Sequence, residues 1–138
     1  MNAPLADPRT LRQGVSADGD VVTSRQLGRQ IAAEMGFSRP EQALIATAIS
    51  ELARNIVNYA GRGEIALAMV REGGRSGLEI VARDNGPGIA DLESAMTDGF
   101  STGNSLGLGL PGTRRIVDRF DIASTPGAGV TVTAVKWL

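Results

Sequence analysis

The stretch VARDNGPGIADLESAMTDGFSTGNSLGLGLPGTRR, residues 81–115, ends an apolar run on an acidic residue and then carries seven of the chain's 18 glycines. Glycine reaches φ > 0 and lets backbone approach a ligand closely, but it loses more conformational entropy on folding than any other residue. A segment that accepts this loss repeatedly is built to hold something. The apolar run before it, Leu78–Arg83, and a second one at Glu64–Arg71 predict two strands joined by the hairpin loop EGGRSG. Asp84 then opens the loop DNGPG. Two readings fit it. Asp, Asn and Gly favour turns by themselves; alternatively the Asp84 carboxylate accepts a hydrogen bond from an exocyclic amine, with Gly86 and Gly88 making room for a flat ring.

Further on, the pattern of residues 91–106 predicts a helical turn and then a polar, flexible stretch. GLGLPG at 107–112 formally matches GxGxxG, but no strand precedes it and a proline falls inside, so it is not a dinucleotide fingerprint. It reads instead as backbone opening into a helix from Pro111 to Phe120, whose first amides favour phosphate. The segments DIAS and VTVTAVKW predict closing strands on either side of TPGAG.

Upstream, residues 1–9 read as a flexible leader with Pro4 and Pro8, followed by a single domain over 10–138. A strand at Thr10–Ser16, a turn ADGD and a helix at Asp20–Met35 come first. SRPE then has the form of a capping box, with Ser38 as the cap, Glu41 three residues later and Pro40 in the first turn. The helix it opens is expected over Glu41–Tyr59. Ile45, Ile49, Leu52, Ile56 and Tyr59 form its apolar stripe. Glu51, Asn55 and Asn58 line another face, about 120° away. That face is either solvated or a place where a carboxamide meets a magnesium–phosphate group and a carboxylate deprotonates a hydroxyl.

Composition removes several chemistries. The chain of 138 residues carries a net charge of −1 and no electrostatic footprint for nucleic acid or a membrane surface. No apolar run approaches a membrane span, and MNAPLADPRT lacks a signal-peptide core, so the expected location is cytoplasmic. Cysteine and histidine are both absent, which excludes thiol catalysis, thiolate or imidazole metal sites, Ser-His-Asp triads and an internal phosphohistidine. Lys136 is the single lysine against thirteen arginines, so neither a P-loop nor a strand-lysine kinase site can be built. Any nucleotide chemistry here is lysine-free.

Four segments then form one pattern: ELARN (51–55), DNGPG (84–88), GNSLGLGL (103–110) and GAGVT (127–131). Their order and spacing resemble those of the GHKL ATPase superfamily, which includes gyrase B, Hsp90, MutL and the catalytic domains of histidine kinases. Within it, ELARNIVNYAG, DNGPGI, DGFST, GLGLPG and the terminal KWL resemble the small bacterial serine/threonine kinases of stressosome-type partner-switching pathways. The resemblance implies an α/β two-layer Bergerat fold, with a mixed, mainly antiparallel sheet and helices on one face. It implies ATP and Mg2+ as cofactors. Glu51 would orient or deprotonate the attacking hydroxyl, and Asn55 would hold the metal, with Asn58 beside it. Asp84 would take the adenine amino group, near Gly86, Gly88 and Ile89. A short lid would run from Phe100 to Leu110, touching phosphates through Ser101, Thr102, Gly103, Gly107, Leu108 and Gly109. Thr131 would support the adenine end through a water.

The implied activity is transfer of phosphate from ATP to a serine or threonine of a STAS-domain protein, followed by release toward a downstream regulator such as a phosphatase. Two alternatives stay open: an anti-sigma factor of the same fold, and a nucleotide-binding module without chemistry. One departure stands out. Related anti-sigma kinases carry a lid arginine near the γ-phosphate, but GFSTGNSLGLGL has none. Arg54, Arg114 and Arg115 are candidates, and the role stays open.

Overall fold

The computed structural model describes residues 10–87, 109–125 and 127–138. The N-terminal leader therefore lies outside the described residues. Strand β1 (Leu11–Val15) leads into helix α1 (Asp18–Met35). The expected ADGD turn is instead the start of that helix. Asp20 folds back so that its Oδ2 accepts from the backbone amides of Ser16 and Ala17 at 2.9 and 3.2 Å, satisfying donors that a helix start leaves open. Gly36, at φ 99°, ends α1 in the left-handed conformation, and Phe37 donates to Ala32 and buries its ring.

Ser38 caps helix α2 (Arg39–Asn55) as the sequence predicts, and the Glu41 carboxylate returns to the Ser38 amide. Beyond Asn55 the expected α-helix gives way to a π-helical turn, Ile56–Ala60, closed by Gly61 donating to Ile56 at 2.8 Å. A π-turn shifts the side-chain phase. Ile45, Ile49, Leu52 and Ile56 are buried as predicted, but Tyr59 leaves the stripe and is 48% exposed.

Strands β2 (Gly63–Glu72) and β3 (Arg75–Asp84) form a long hairpin. Its turn is shorter than the expected loop. Gly73 and Gly74, both at positive φ, suffice for a two-residue connection with Glu72 opposite Arg75. Helix α3 (Gly109–Ile116) precedes β4 (Arg119–Thr125) and β5 (Gly129–Trp137). The predicted helix over Pro111–Phe120 is therefore displaced and cut short. Asp118 pairs with β5 instead, donating to the Val135 carbonyl at 2.8 Å and accepting from the Trp137 amide at 2.7 Å. Phe120 is thereby committed to a strand.

The sheet order is β1-β2-β3-β5-β4, and each described pairing is antiparallel, so no parallel pair of the expected mixed sheet is seen among the described residues. One face carries Val15, Ile65, Leu67, Leu78, Ile80, Ala82, Val132 and Ala134, all buried in one cluster with Val21, Ile45, Ile49 and Leu52 of the helices. Each large aliphatic side chain in it contributes about 1.5–3 kcal/mol of burial. Ser24, Gly28 and Ala32 give α1 a small-residue face, and a side chain at Gly28 would meet Ile49. On the other sheet face Arg75 and Arg119 flank the Trp137 ring at 5.2 and 5.6 Å, and Arg119 pairs with Glu72 through two hydrogen bonds. The guanidinium holds the Glu72 carboxyl below its ordinary range. This pair ties the end of β2 to β4 across two intervening strands.

Candidate active site

The buried helix α2 sets the geometry. Glu51 is 3% exposed, although it was equally readable as part of a solvated face. A buried carboxylate requires partners, and both of its oxygens have them. Oε1 accepts from the Gly109 amide at 3.1 Å, and Oε2 accepts from Arg54 Nη1 at 2.9 Å. The first bond spans 58 residues and satisfies the opening amide of α3 with an anion, the charge that a helix N-terminus favours. Asn55, one turn beyond Glu51, is half-buried and stands where the helix changes to its π-turn; Asn58, within that turn, is exposed.

The π-turn and the β2–β3 ends enclose the second group. Asp84 closes β3 and points to the same sheet face as Ala82 and Ile80. Its Oδ1 accepts from the amides of Gly86 at 2.9 Å and Val130 at 3.3 Å. Oδ2 has no hydrogen bond among the described residues. Three glycines make this packing possible. A Cβ on Gly129, at φ 103°, would run into the Asp84 carbonyl. One on Gly86 would meet Ala60 at 2.6 Å, and one on Gly63 would meet Arg83 and Ile56. Glycine is required here for close backbone approach, with positive φ an added reason at Gly129.

Other expected residues fall differently. Gly109 and Leu110 belong to the first turn of α3 rather than to a lid, and Leu110 is buried in the hydrophobic cluster. Thr131 stands opposite Arg83, on the sheet face away from Asp84; the Val130 amide is what reaches the carboxylate. Gly88, Ile89, Phe100, Ser101, Thr102, Gly103, Gly107 and Leu108 lie outside the described residues. A separate cavity of about 770 Å³ borders Asp84 from the β1 side, with Ser16, Asp20, Arg62 and Arg83 in its wall. Neither Glu51 nor Asn55 lines it.

Sequence reading missed three links: Arg54 to Glu51, Gly109 to Glu51, and Val130 to Asp84. The first had a signal, since Glu and Arg three apart on a helix are neighbours. The others join distant segments, and no local spacing announces them.

The donor set suits a magnesium nucleotide. Asp84 offers an acceptor oxygen that no described residue occupies, beside glycine-lined backbone, and Glu51 is a buried carboxylate at the root of α3. The Asn55 carboxamide is a hard, neutral oxygen donor of the kind a magnesium ion would take beside phosphate oxygens.

The chain is 51% identical over 124 residues to Serine/threonine-protein kinase RsbT of Bacillus subtilis, covering 90% of this chain and 93% of that one. It is 28% identical over 121 residues to an Anti-sigma F factor of Thermoanaerobacter, covering 83% of each. Among solved structures, the RsbU and RsbW domains of a Mycobacterium tuberculosis protein superpose with a TM-score of 0.62 at 20% identity, over 92% of this chain and 32% of that one. The mycobacterial sensor histidine kinase MprB gives 0.52 at 16% identity, over 92% and 97%. Both likenesses concern the fold. Residues 41–138 match the histidine kinase-, DNA gyrase B- and HSP90-like ATPases, and the chain belongs to that family.

Proposed function

We propose that this protein is an ATP-dependent serine/threonine kinase of a partner-switching pathway, with a STAS-domain protein as its phosphate acceptor. The observation that carries the reading is Glu51, a carboxylate buried in α2 and tied to the start of α3. Asp84 would accept a hydrogen bond from the adenine amino group of ATP, and Asn55 would hold a Mg2+ ion that neutralises phosphate charge. The acceptor hydroxyl docks at Glu51, which takes its proton as the oxygen attacks. With no histidine or cysteine, the chain cannot serve as its own phosphohistidine or thiol acceptor, and its likeness to a serine/threonine-protein kinase supports a hydroxyl on another protein.

Phosphorylation places about −1.5 to −2 charges beside the Glu51 carboxylate. Repulsion then weakens the complex and releases the kinase toward a downstream regulator such as a phosphatase. No helix among the described residues is long and apolar enough to cross a membrane, which is compatible with a cytoplasmic role. The likeness to anti-sigma F factors supports a second reading, in which the chain holds a sigma factor and its kinase activity releases it.

Incubation with labelled ATP, Mg2+ and a STAS-domain protein tests the first reading, and transfer of label to that protein is expected. Retention of a sigma factor without such transfer would favour the second. Affinity for the unmodified acceptor should exceed that for the phosphorylated form; equal affinities would leave a kinase that is not a switch.

A further inference from the structure

Arg54 occupies an unusual place. Its guanidinium hydrogen-bonds Glu51 Oε2 at 2.9 Å, yet its own side chain is 38% exposed while that of Glu51 is 4% exposed. One end of the pair is fixed in the interior and the other reaches the surface. This arrangement is poorly suited to catalysis as it stands, because the guanidinium occupies the oxygen that an acceptor hydroxyl would have to reach.

Distances define where Arg54 sits relative to the chemistry, given the proposed role of Glu51 as base. An acceptor hydroxyl lies about 2.6–3.2 Å from its base and about 3–3.5 Å from the atom it attacks. The γ-phosphorus therefore lies within roughly 7 Å of Glu51 Oε2. The Arg54 guanidinium, 2.9 Å from that oxygen, is inside the same sphere. It is flexible enough to turn, and it carries four further N–H donors besides the one engaged. Of the other arginines, Arg12 pairs with Glu64 and Arg119 with Glu72. Lys136, the single lysine, lies 4.0 Å from Asp118 at the far end of β5.

We infer that Arg54 is the cation that meets the γ-phosphate, and that its bond to Glu51 is the resting half of an exchange. When ATP binds, the guanidinium leaves Glu51 for the more highly charged phosphate. Oε2 is then free to accept the proton of the acceptor hydroxyl. The acceptor's hydroxyl oxygen, as it gives up that proton, forms its bond to the γ-phosphorus while the bond to the β–γ bridging oxygen breaks, and ADP leaves with the electron pair. The same movement couples the two events, since the base is released only when a γ-phosphate is present. A chain without a lid arginine thus supplies one from the helix that carries the base.

The test uses the full chain and two probes, Mg-ADP and a non-hydrolysable Mg-ATP analogue, with affinities from calorimetry. The wild type should prefer the analogue. Arg54→Gln should lose that preference by roughly ten- to hundredfold, the span of one charge-assisted hydrogen bond, while Mg-ADP affinity stays within about twofold. Arg54→Lys keeps the charge without the planar fork and should fall between. Glu51→Gln removes the competitor for the guanidinium, so it should raise the analogue-to-ADP ratio, and the double variant should abolish that gain. Loss of the Glu51 charge alone would also favour the more anionic analogue, but that rise would persist in the double variant. Arg114→Gln should leave the ratio unchanged. The inference is overturned if the Arg54 variants keep the wild-type ratio, if they lose both nucleotides in parallel, or if Glu51→Gln lowers the ratio. Failure of the nucleotide reading itself looks different: the wild type would then bind neither probe.

Discussion

Replacing Asp84 by Asn exchanges one carboxylate oxygen for an amide nitrogen at nearly constant volume. Oδ1 accepts from Gly86 at 2.9 Å and Val130 at 3.3 Å, and the amide oxygen of Asn can keep both bonds. Each becomes neutral rather than charge-assisted, a loss of about 1 kcal/mol. The fold should therefore weaken by roughly 1–2 kcal/mol and survive. Geometry then forces the NH2 group onto the Oδ2 position, where a donor meets the adenine amino donor. One bond is lost and a buried mismatch created, for about 1–3 kcal/mol, or roughly five- to 150-fold in ATP affinity. Guanine presents an acceptor oxygen where adenine presents its amine, so the ATP-over-GTP preference should shrink as well. Calorimetric titration with each nucleotide, beside a urea melt of the variant, separates recognition from folding. Wild-type ATP affinity in Asp84→Asn would refute the adenine assignment, and a loss of stability without a change in the ATP-to-GTP ratio would reduce Asp84 to a turn residue.

Glu51→Ala should slow transfer to a protein acceptor by about 10²–10⁴-fold while keeping most Mg-ADP affinity, as single-turnover assays would show; transfer near the wild-type rate would remove its role as base. Gly129→Ala forces a side chain into the Asp84 carbonyl at positive φ, so thermal melts should show a loss exceeding the roughly 1–2 kcal/mol of left-handed strain alone, together with weaker ATP binding. Ile49→Ala, at a fully buried core position, should lower unfolding free energy by about 2–5 kcal/mol in urea. The Arg119 guanidinium lowers the Glu72 pKa, so this pair stabilises the fold above the ordinary carboxylate pKa and loses that effect as pH falls through the lowered value. The stability gap between wild type and Glu72→Gln should accordingly be larger at neutral than at strongly acidic pH, though small for so exposed a pair.

Much of the architecture could be read from local chemistry. The Ser38–Glu41 box, the glycine pair between β2 and β3, and the aliphatic spacing of α2 all act over a few residues, where propensity and capping decide. The order of the four glycine- and acid-bearing segments likewise identified the family, because each needs its residue types to be close in sequence. Local pattern misled where a distant partner prevailed: Phe120 reads as helical until Asp118 pairs with β5, and Tyr59 reads as core until the π-turn rotates it outward. The polarity of Glu51 allowed a solvated face, and only the packing of α3 against α2 buried it and brought the Gly109 amide to its carboxylate. Sequence determined which groups could perform the chemistry. Tertiary structure decided which of them meet, because hydrogen bonds between α2 and α3, or between β3 and β5, close loops of dozens of residues, and no short-range spacing encodes which ends come together.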